Sequence, residues 1–294
     1  VNARVVSLST TTSDLLSLTK PRLSSLVLFT MASGIWLAPG SISPARWVAA
    51  LLSTAGIVAA ANALNCYLER DVDRLMSRTR NRPLPSGRMD PPIALWFALS
   101  LVAISLPALV LATNLLTGLL GLAALVLYVL VYTPMKARSY AAMLVGAIPG
   151  ALPTLMGWTA VTGSIDPPAL VLFAILFLWQ MPHFIAISLV RKEEYAAAGL
   201  KLLPLERGDD LSRAQMVGYL AVLIPVSLLL VPLKTAGTLY LVTALCLGAG
   251  FLAASLHGWH RRLGRAWAHK MFLLSLFYLA FLFAVLWIDG GVRA

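Results

Sequence analysis

The chain has 294 residues, of which 59% are hydrophobic and 12% charged, with a mean hydropathy of +0.83 and a net charge of +11. Soluble domains carry about 25% charged residues, so this composition excludes an ordinary water-soluble enzyme, a disordered chain and a small secreted domain. It leaves one polytopic membrane domain, because a bilayer core of about 30 Å is crossed by roughly 20 helical residues and apolar runs recur along the whole chain.

In chain order, residues 1–22 are polar, rich in Ser and Thr, and lack the apolar stretch of a secretory signal. They predict a loose cytoplasmic tail with room for a short surface helix. Spans are expected at 23–38, 46–68, 93–112, 115–132, 141–161, 168–190, 216–233, 237–256 and 271–289. Pro21 suits the start of the first, and Pro134 is expected to end the fourth. The fold class is therefore an all-α polytopic membrane protein of nine transmembrane helices, one domain over 23–289, with a C-terminal tail at 290–294.

Charge orients it. With the N-terminus cytoplasmic and the C-terminus outside, twenty of the 23 Lys and Arg residues face the cytoplasm, leaving only Arg46, Lys234 and Arg293 outside. The positive excess reads as topology, and nucleic acid is not expected as a partner. Cys66 and Cys246 lie in apolar runs without metal-like spacing and read as core thiols. Ten of the twelve acids also fall on the cytoplasmic side, leaving Asp166 and Asp289 outside. Topology does not require that, so a chemical reason is sought in the loops.

The first charged segment runs from Asn62 to Met89. Asn65, Glu69 and Asp73 recur every four residues and share one helical face, with Asn62 a turn earlier. An amide and two carboxylates suit a hard cation such as Mg²⁺, which takes oxygen ligands and bridges to a substrate's phosphates. Arg78, Arg82 and Arg88 follow, and guanidinium grips phosphate in a fork. Asp71 points off that face and is expected to pair with Arg70 or Arg74. The alternative is a solvated helix end, against which Asn62 and Asn65 lie inside an apolar run.

In the second segment Lys136 sits at the membrane edge, placed to neutralise a phosphate oxygen or simply to set topology. Pro149, Gly150 and Pro153 interrupt the fifth span, as tolerated where backbone lines a cavity or packs tightly. In the third, His183 lies in an apolar span beside Pro182, suited either to an iron or a substrate carboxylate or to a core hydrogen bond. Glu193, Glu194 and the bases Arg191, Lys192 and Lys201 follow. His257 and His260, in the last charged loop, read as topology rather than a metal site.

Together these segments resemble the UbiA superfamily of intramembrane prenyltransferases, and most closely its haem-farnesylating branch. The superfamily's first motif, an Asn and two acids at four-residue steps followed by R-T-x-x-R-P, falls on Asn65, Glu69 and Asp73, then Arg78, Thr79, Arg82 and Pro83. Glu69 stands where many members have Asp. Tyr132, Thr133 and Lys136 match a Y-T-x-x-K element, and Gly146 to Pro153 a G-A-I-P-G-A-x-P run. Most members carry a second aspartate pair, whose places Arg191 and Tyr195 occupy here. The branch's W-Q-x-P-H-F pattern, followed by E-[ED]-Y-x-x-x-G and L-P, is carried by Trp179 to Phe184 and by Glu194, Tyr195, Gly199 and Pro204, with Lys201 and Leu202 departing from its usual Pro-Met.

The resemblance implies transfer of a farnesyl group from farnesyl diphosphate to a vinyl group of haem b. Asn65, Glu69 and Asp73 would hold Mg²⁺, and Arg78, Arg82 and Lys136 would stabilise the leaving diphosphate. Asn62, Tyr132, His183, Glu194, Tyr195 and Lys201 would bind substrate, His183 against the haem, with Glu194 and Tyr195 orienting it. A bacterial inner membrane is expected, partly because no mitochondrial presequence is evident, with membrane lipid as surroundings and a haem A synthase as the partner receiving product. The rivals are a UbiA-type enzyme for an aromatic acceptor, disfavoured by the missing aspartate pair, and a transporter, whose polar groups should gather near mid-membrane.

Overall fold

The computed structural model describes residues 8–291. Residues 1–7 and 292–294, the outer parts of the two expected tails, lie outside the described residues. All regular structure in the described residues is helical: α1 (Leu8–Leu18), α2 (Pro21–Leu37), α3 (Pro44–Asp73), α4 (Pro91–Ala112) and α5 (Leu115–Val126), which passes through a π-helical turn (Leu127–Tyr132) into α6 (Thr133–Met135). Then come α7 (Ala142–Thr162), α8 (Pro167–Val190), the short α9 (Lys192–Ala197) and α10 (Leu203–Glu206), and α11 (Asp209–Leu228), α12 (Thr238–His260) and α13 (Arg265–Gly291).

Proline punctuates the starts. Pro21, Pro44, Pro91 and Pro167 open α2, α3, α4 and α8, where the missing N–H costs no hydrogen bond. Asn114 caps α5 by accepting from the Thr117 N–H at 2.9 Å. Eight helices among the described residues are long and apolar enough to cross a membrane. The expected first span, α2, has 17 residues and is not among them. The N-terminal stretch, expected as a loose tail, holds α1, anchored through Asp14 to Arg88 at 3.2 Å.

The helices are arranged around α7, whose spanning segment is 72% buried, against 22% for α4 at the rim. Small residues permit this. A Cβ added at Gly34 would lie 2.1 Å from the Thr154 carbonyl oxygen, and one at Gly157 2.0 Å from that of Met31, so α2 and α7 pack backbone to backbone. The proline interruptions of α7 lie at this buried centre. Cys66 is buried as expected, but Cys246 is exposed, because it lies on the outward face of α12.

The two acids that fall at the end of the bundle opposite the charged loops have structural partners. Asp166 accepts from the Trp158 indole at 2.7 Å, which holds its carboxyl below the usual range. Asp289 accepts from the Gly237 and Tyr240 N–H groups at 2.6 and 3.0 Å, satisfying the first turn of α12. The remaining acids cluster at the other end, where the long loops meet.

Candidate active site

The site is built on α3, which continues as one helix to Asp73, five residues beyond the expected span end. Asn62, Asn65 and Asp73 are buried there. Asn65 donates to Glu69 Oε2 at 2.9 Å and to Thr133 Oγ1 at 3.1 Å. Glu69 is ion-paired to Lys136, and Asp73 to Arg82 at 2.7 Å. Asn62 donates to the Thr19 carbonyl at 3.0 Å. Asp71, on the other face, pairs with Arg74 at 3.4 Å and Arg70 at 3.9 Å, as its position predicts.

The π-helical turn explains how Lys136 and Thr133 arrive. Pro134 has no N–H for the Leu130 carbonyl, and the preceding turn widens so that the Thr133 N–H reaches back five residues to Tyr128. Pro134 thus loosens the helix before it ends at Met135. The Thr133 hydroxyl also donates to the Tyr128 carbonyl at 2.8 Å, leaving its oxygen to accept from Asn65. Lys136 lies 4.9 Å over the Tyr132 ring. Burial works against its charge, but the Tyr132 hydroxyl and Glu69 outweigh that and raise its pKa above the usual lysine value.

Sequence reasoning missed Lys20. It comes from the turn between α1 and α2, in a left-handed conformation (φ 49°), and donates to Asn65 Oδ1 at 2.8 Å. Burial, and secondarily the nearby Arg82, lower its pKa, partly opposed by Cys66 and Glu69. Two signals pointed to it: its place before Pro21 and the expected placement of the tail on the same side as the charged loops. Thr133 was legible only as part of the Y-T-x-x-K match.

Two expected substrate contacts are engaged elsewhere. Glu194 accepts from the Ser77 hydroxyl and the Arg78 N–H, both at 3.2 Å, and from Arg191 at 3.1 Å. Partial burial works against its ionisation, but these bonds prevail and lower its pKa. Lys201 pairs with Glu206 at 3.0 Å, and its N–H bonds the Lys136 carbonyl at 2.9 Å. In this conformation Glu194 braces the loop after α3 against the segment after α8, and Lys201 braces that segment against the turn after α6. Tyr195 packs with the apolar cluster of Met76, Ala198, Leu200 and Leu202 that joins the same loops. The Arg78 side chain is exposed at the rim, and Lys192 pairs with Asp209 at 2.6 Å.

Below the charged mouth lies an apolar cavity of about 310 Å³, with Asn62 and Tyr132 among its lining residues. His183 lines one flank and is not in contact with Glu194 or Tyr195 among the described interactions. Its Nδ1 lies 2.8 Å from Ser275 Oγ, whose single hydroxyl proton is donated to the Phe272 carbonyl at 2.6 Å. With that proton on the carbonyl, Ser275 accepts from the ring, the arrangement in which Nδ1 carries the proton and Nε2 the lone pair. Trp179 stacks on the imidazole with a centroid separation of 5.0 Å, and Phe272 tilts against it at 5.1 Å.

A charged mouth over an apolar cavity inside a helical bundle defines a membrane enzyme for a substrate with an ionic head and a hydrocarbon tail. The chain belongs to the UbiA prenyltransferase family, whose model matches residues 26–283. Within it the branch is that of the protoheme IX farnesyltransferases. The chain is 62% identical to the one from Myxococcus xanthus over the full length of both, and 53% identical to that from Anaeromyxobacter dehalogenans, covering 94% of this chain and 93% of the relative. Among solved structures, a digeranylgeranylglyceryl phosphate synthase superposes with a TM-score of 0.82 at 17% identity, covering 95% of this chain and 98% of the other. A UbiA homologue from Archaeoglobus fulgidus bound to GPP and Mg²⁺ superposes at 0.64 and 20% identity, covering 93% and 99%. Membership of this family sets the transporter reading aside.

Proposed function

We propose that the chain transfers a farnesyl group from farnesyl diphosphate to a vinyl group of haem b, giving haem O and diphosphate. Beyond family membership, the observation that carries this reading is the cluster Asn65–Glu69–Asp73–Lys136–Arg82 set directly above an apolar cavity. The donors on α3 are all oxygens, and no group of three or more His, Cys, Asp or Glu side chains is gathered for a metal among the described residues. That set fits Mg²⁺, which takes few protein ligands and shares a substrate's phosphates, and not a metal wanting a full protein cage. Asn65, Glu69 and Asp73 are the residues to hold it. When bound, Mg²⁺ neutralises the diphosphate and makes it a better leaving group.

The bases are already aimed. Lys136 and Arg82 exchange their carboxylate partners for phosphate oxygens, Lys20 adds a third cation beside Asn65, and Arg78 closes over from the rim. As the C1–O bond breaks, negative charge goes to the diphosphate and positive charge to the allylic carbon. The vinyl carbon of the haem attacks that carbon, and the resulting cation takes a hydroxyl from water with release of a proton. The cavity walls exclude bulk water, and the stapled loops cover the mouth, so the allylic cation is not simply hydrolysed. Asn62 and Tyr132 form the throat between head and tail. His183, with its Nε2 lone pair held by the Ser275 bond, ligates or orients the haem iron. Glu194 and Lys201 release to the acceptor only when the loops open, and Tyr195 lines their apolar face.

Orientation belongs to the same proposal. α2 is the ninth crossing, the N-terminus and active mouth are cytoplasmic, and the C-terminus is outside, supported by the distribution of Lys and Arg. The membrane is a bacterial inner membrane. A haem A synthase as the receiver of product follows from the chemistry of haem O alone. The test is incubation of the purified chain with farnesyl diphosphate, Mg²⁺ and either haem b or 4-hydroxybenzoate. Prenylated haem is the expected product, and prenylation of the acid alone would refute the haem assignment in favour of the aromatic-acceptor reading.

A further inference from the structure

The cavity has a floor, and its depth can be read along three helices. On the π turn and α5 its lining runs from Tyr132 down to Gly121, on α7 from Gly146 to Met156, and on α3 from Asn62 to Thr54. At 1.5 Å per residue these descents are about 16, 15 and 12 Å. The floor is closed by contact. A Cβ added at Gly121 would meet Leu109 Cδ2 at 3.1 Å and both Ile57 Cδ1 and Met156 Cε at 3.4 Å. Leu109, behind the floor, is completely buried.

We infer that Gly121, Ile57 and Met156 form a ruler that selects the length of the prenyl donor. The inference rests on the proposed prenyl transfer and adds its chain-length specificity. An extended carbon chain advances about 1.25 Å per bond, so a farnesyl main chain of eleven bonds is about 14 Å long, a geranyl one about 9 Å and a geranylgeranyl one about 19 Å. With C1 at the level of Tyr132 and Gly146, farnesyl reaches the floor, geranyl leaves its lower third empty, and geranylgeranyl overruns it. Both mismatches cost affinity, through an unfilled apolar cavity on one side and overpacking on the other.

Thr54 supplies an independent observation at the same depth. Its side chain is 1% exposed and its hydroxyl, in the cavity wall, has no hydrogen-bond partner. The terminal double bond of a farnesyl chain lies about 11–12 Å from C1, in the last turn above the floor, whose α3 wall Thr54 lines. Its π face accepts the hydroxyl as a weak hydrogen bond, which a geranyl chain is too short to make.

The experiment measures competition of geranyl, farnesyl and geranylgeranyl diphosphates against radiolabelled farnesyl diphosphate on the full chain in lipid nanodiscs with Mg²⁺, alongside turnover with haem b. Wild type binds farnesyl diphosphate best. Met156→Ala, which lowers the floor, raises the geranylgeranyl-to-farnesyl affinity ratio about tenfold, and Ala124→Leu, one turn above Gly121, raises the geranyl-to-farnesyl ratio similarly. Thr54→Val weakens farnesyl binding about twofold and leaves geranyl binding unchanged. An unchanged length preference in both Met156→Ala and Ala124→Leu, each still binding farnesyl diphosphate, would overturn the ruler. Equal losses for both donors in Thr54→Val would remove Thr54 from it. Failure of the haem reading is separable, since it appears as no prenylated haem with any donor while the binding order still reports the floor.

Discussion

Asp73 and Lys20 show how unevenly a site is written into sequence. Asp73 is buried against Arg82, and replacing it with Asn keeps the shape while removing the charge that pairs with Arg82 and that is proposed to hold Mg²⁺. Asp73→Asn should lower kcat with farnesyl diphosphate and haem b by about 10²–10³-fold, measured at saturating Mg²⁺ with folding checked by gel filtration. The spacing of Asn65, Glu69 and Asp73 was legible because helical periodicity alone puts them on one face. Lys20 was not, since it reaches Asn65 across 45 positions of sequence through a left-handed turn. Burial holds its pKa below the usual lysine value, so its ammonium is present at low pH and lost as pH rises through that lowered value. KM for the diphosphate should therefore climb on the alkaline side at lower pH than a free lysine predicts. Lys20→Gln should raise KM at neutral pH and flatten that limb, as pH profiles of the two proteins would show. The proton on His183 likewise needed coordinates, because the serine that fixes it lies 92 residues away.

At the scale of elements, helix existence and order were legible from apolar runs and proline starts, while the joints were not. The π turn before Pro134 is invisible to a hydropathy reading, yet it brings Thr133 to Asn65 and Lys136 to Glu69. The loops were read as carriers of substrate-binding side chains, and the structure shows Glu194 stapling them together. Glu194→Gln should therefore speed backbone hydrogen exchange around Ser77 and Arg78, read by mass spectrometry, while haem binding to the closed protein changes little. The bonds that depress the Glu194 pKa favour its ionised form. The staple should hold above the free carboxyl's range and weaken as pH falls through the lowered value, so the same exchange should accelerate in acid in wild type. The α2–α7 contact makes a different demand. Gly157→Ala places a methyl against the Met31 carbonyl and should cost about 1–3 kcal/mol, seen as a lower midpoint in thermal unfolding in detergent.

For the whole molecule, hydropathy and charge asymmetry sufficed to predict a polytopic helical bundle with one chemically loaded end. The opposite end bears out the division in detail, for its two acids are spent on an indole and a helix start. The central cavity could not be predicted, because it exists only where α2, α3, α5, α7 and α8 converge, and no single helix encodes its depth. Its apolar walls below the cationic mouth join a diphosphate head to an isoprenoid tail in one site, which is the core of the functional account. The haem extracted from bacterial cells that lack their own haem farnesylation and express this chain tests it most directly. The account predicts that chromatography and mass spectrometry reveal haem O, heavier than haem b by one farnesyl group plus one hydroxyl group, and that Asp73→Asn cells contain haem b with little or no haem O. A wild-type profile of unmodified haem b, from cells in which the protein is present in the membrane, would contradict it.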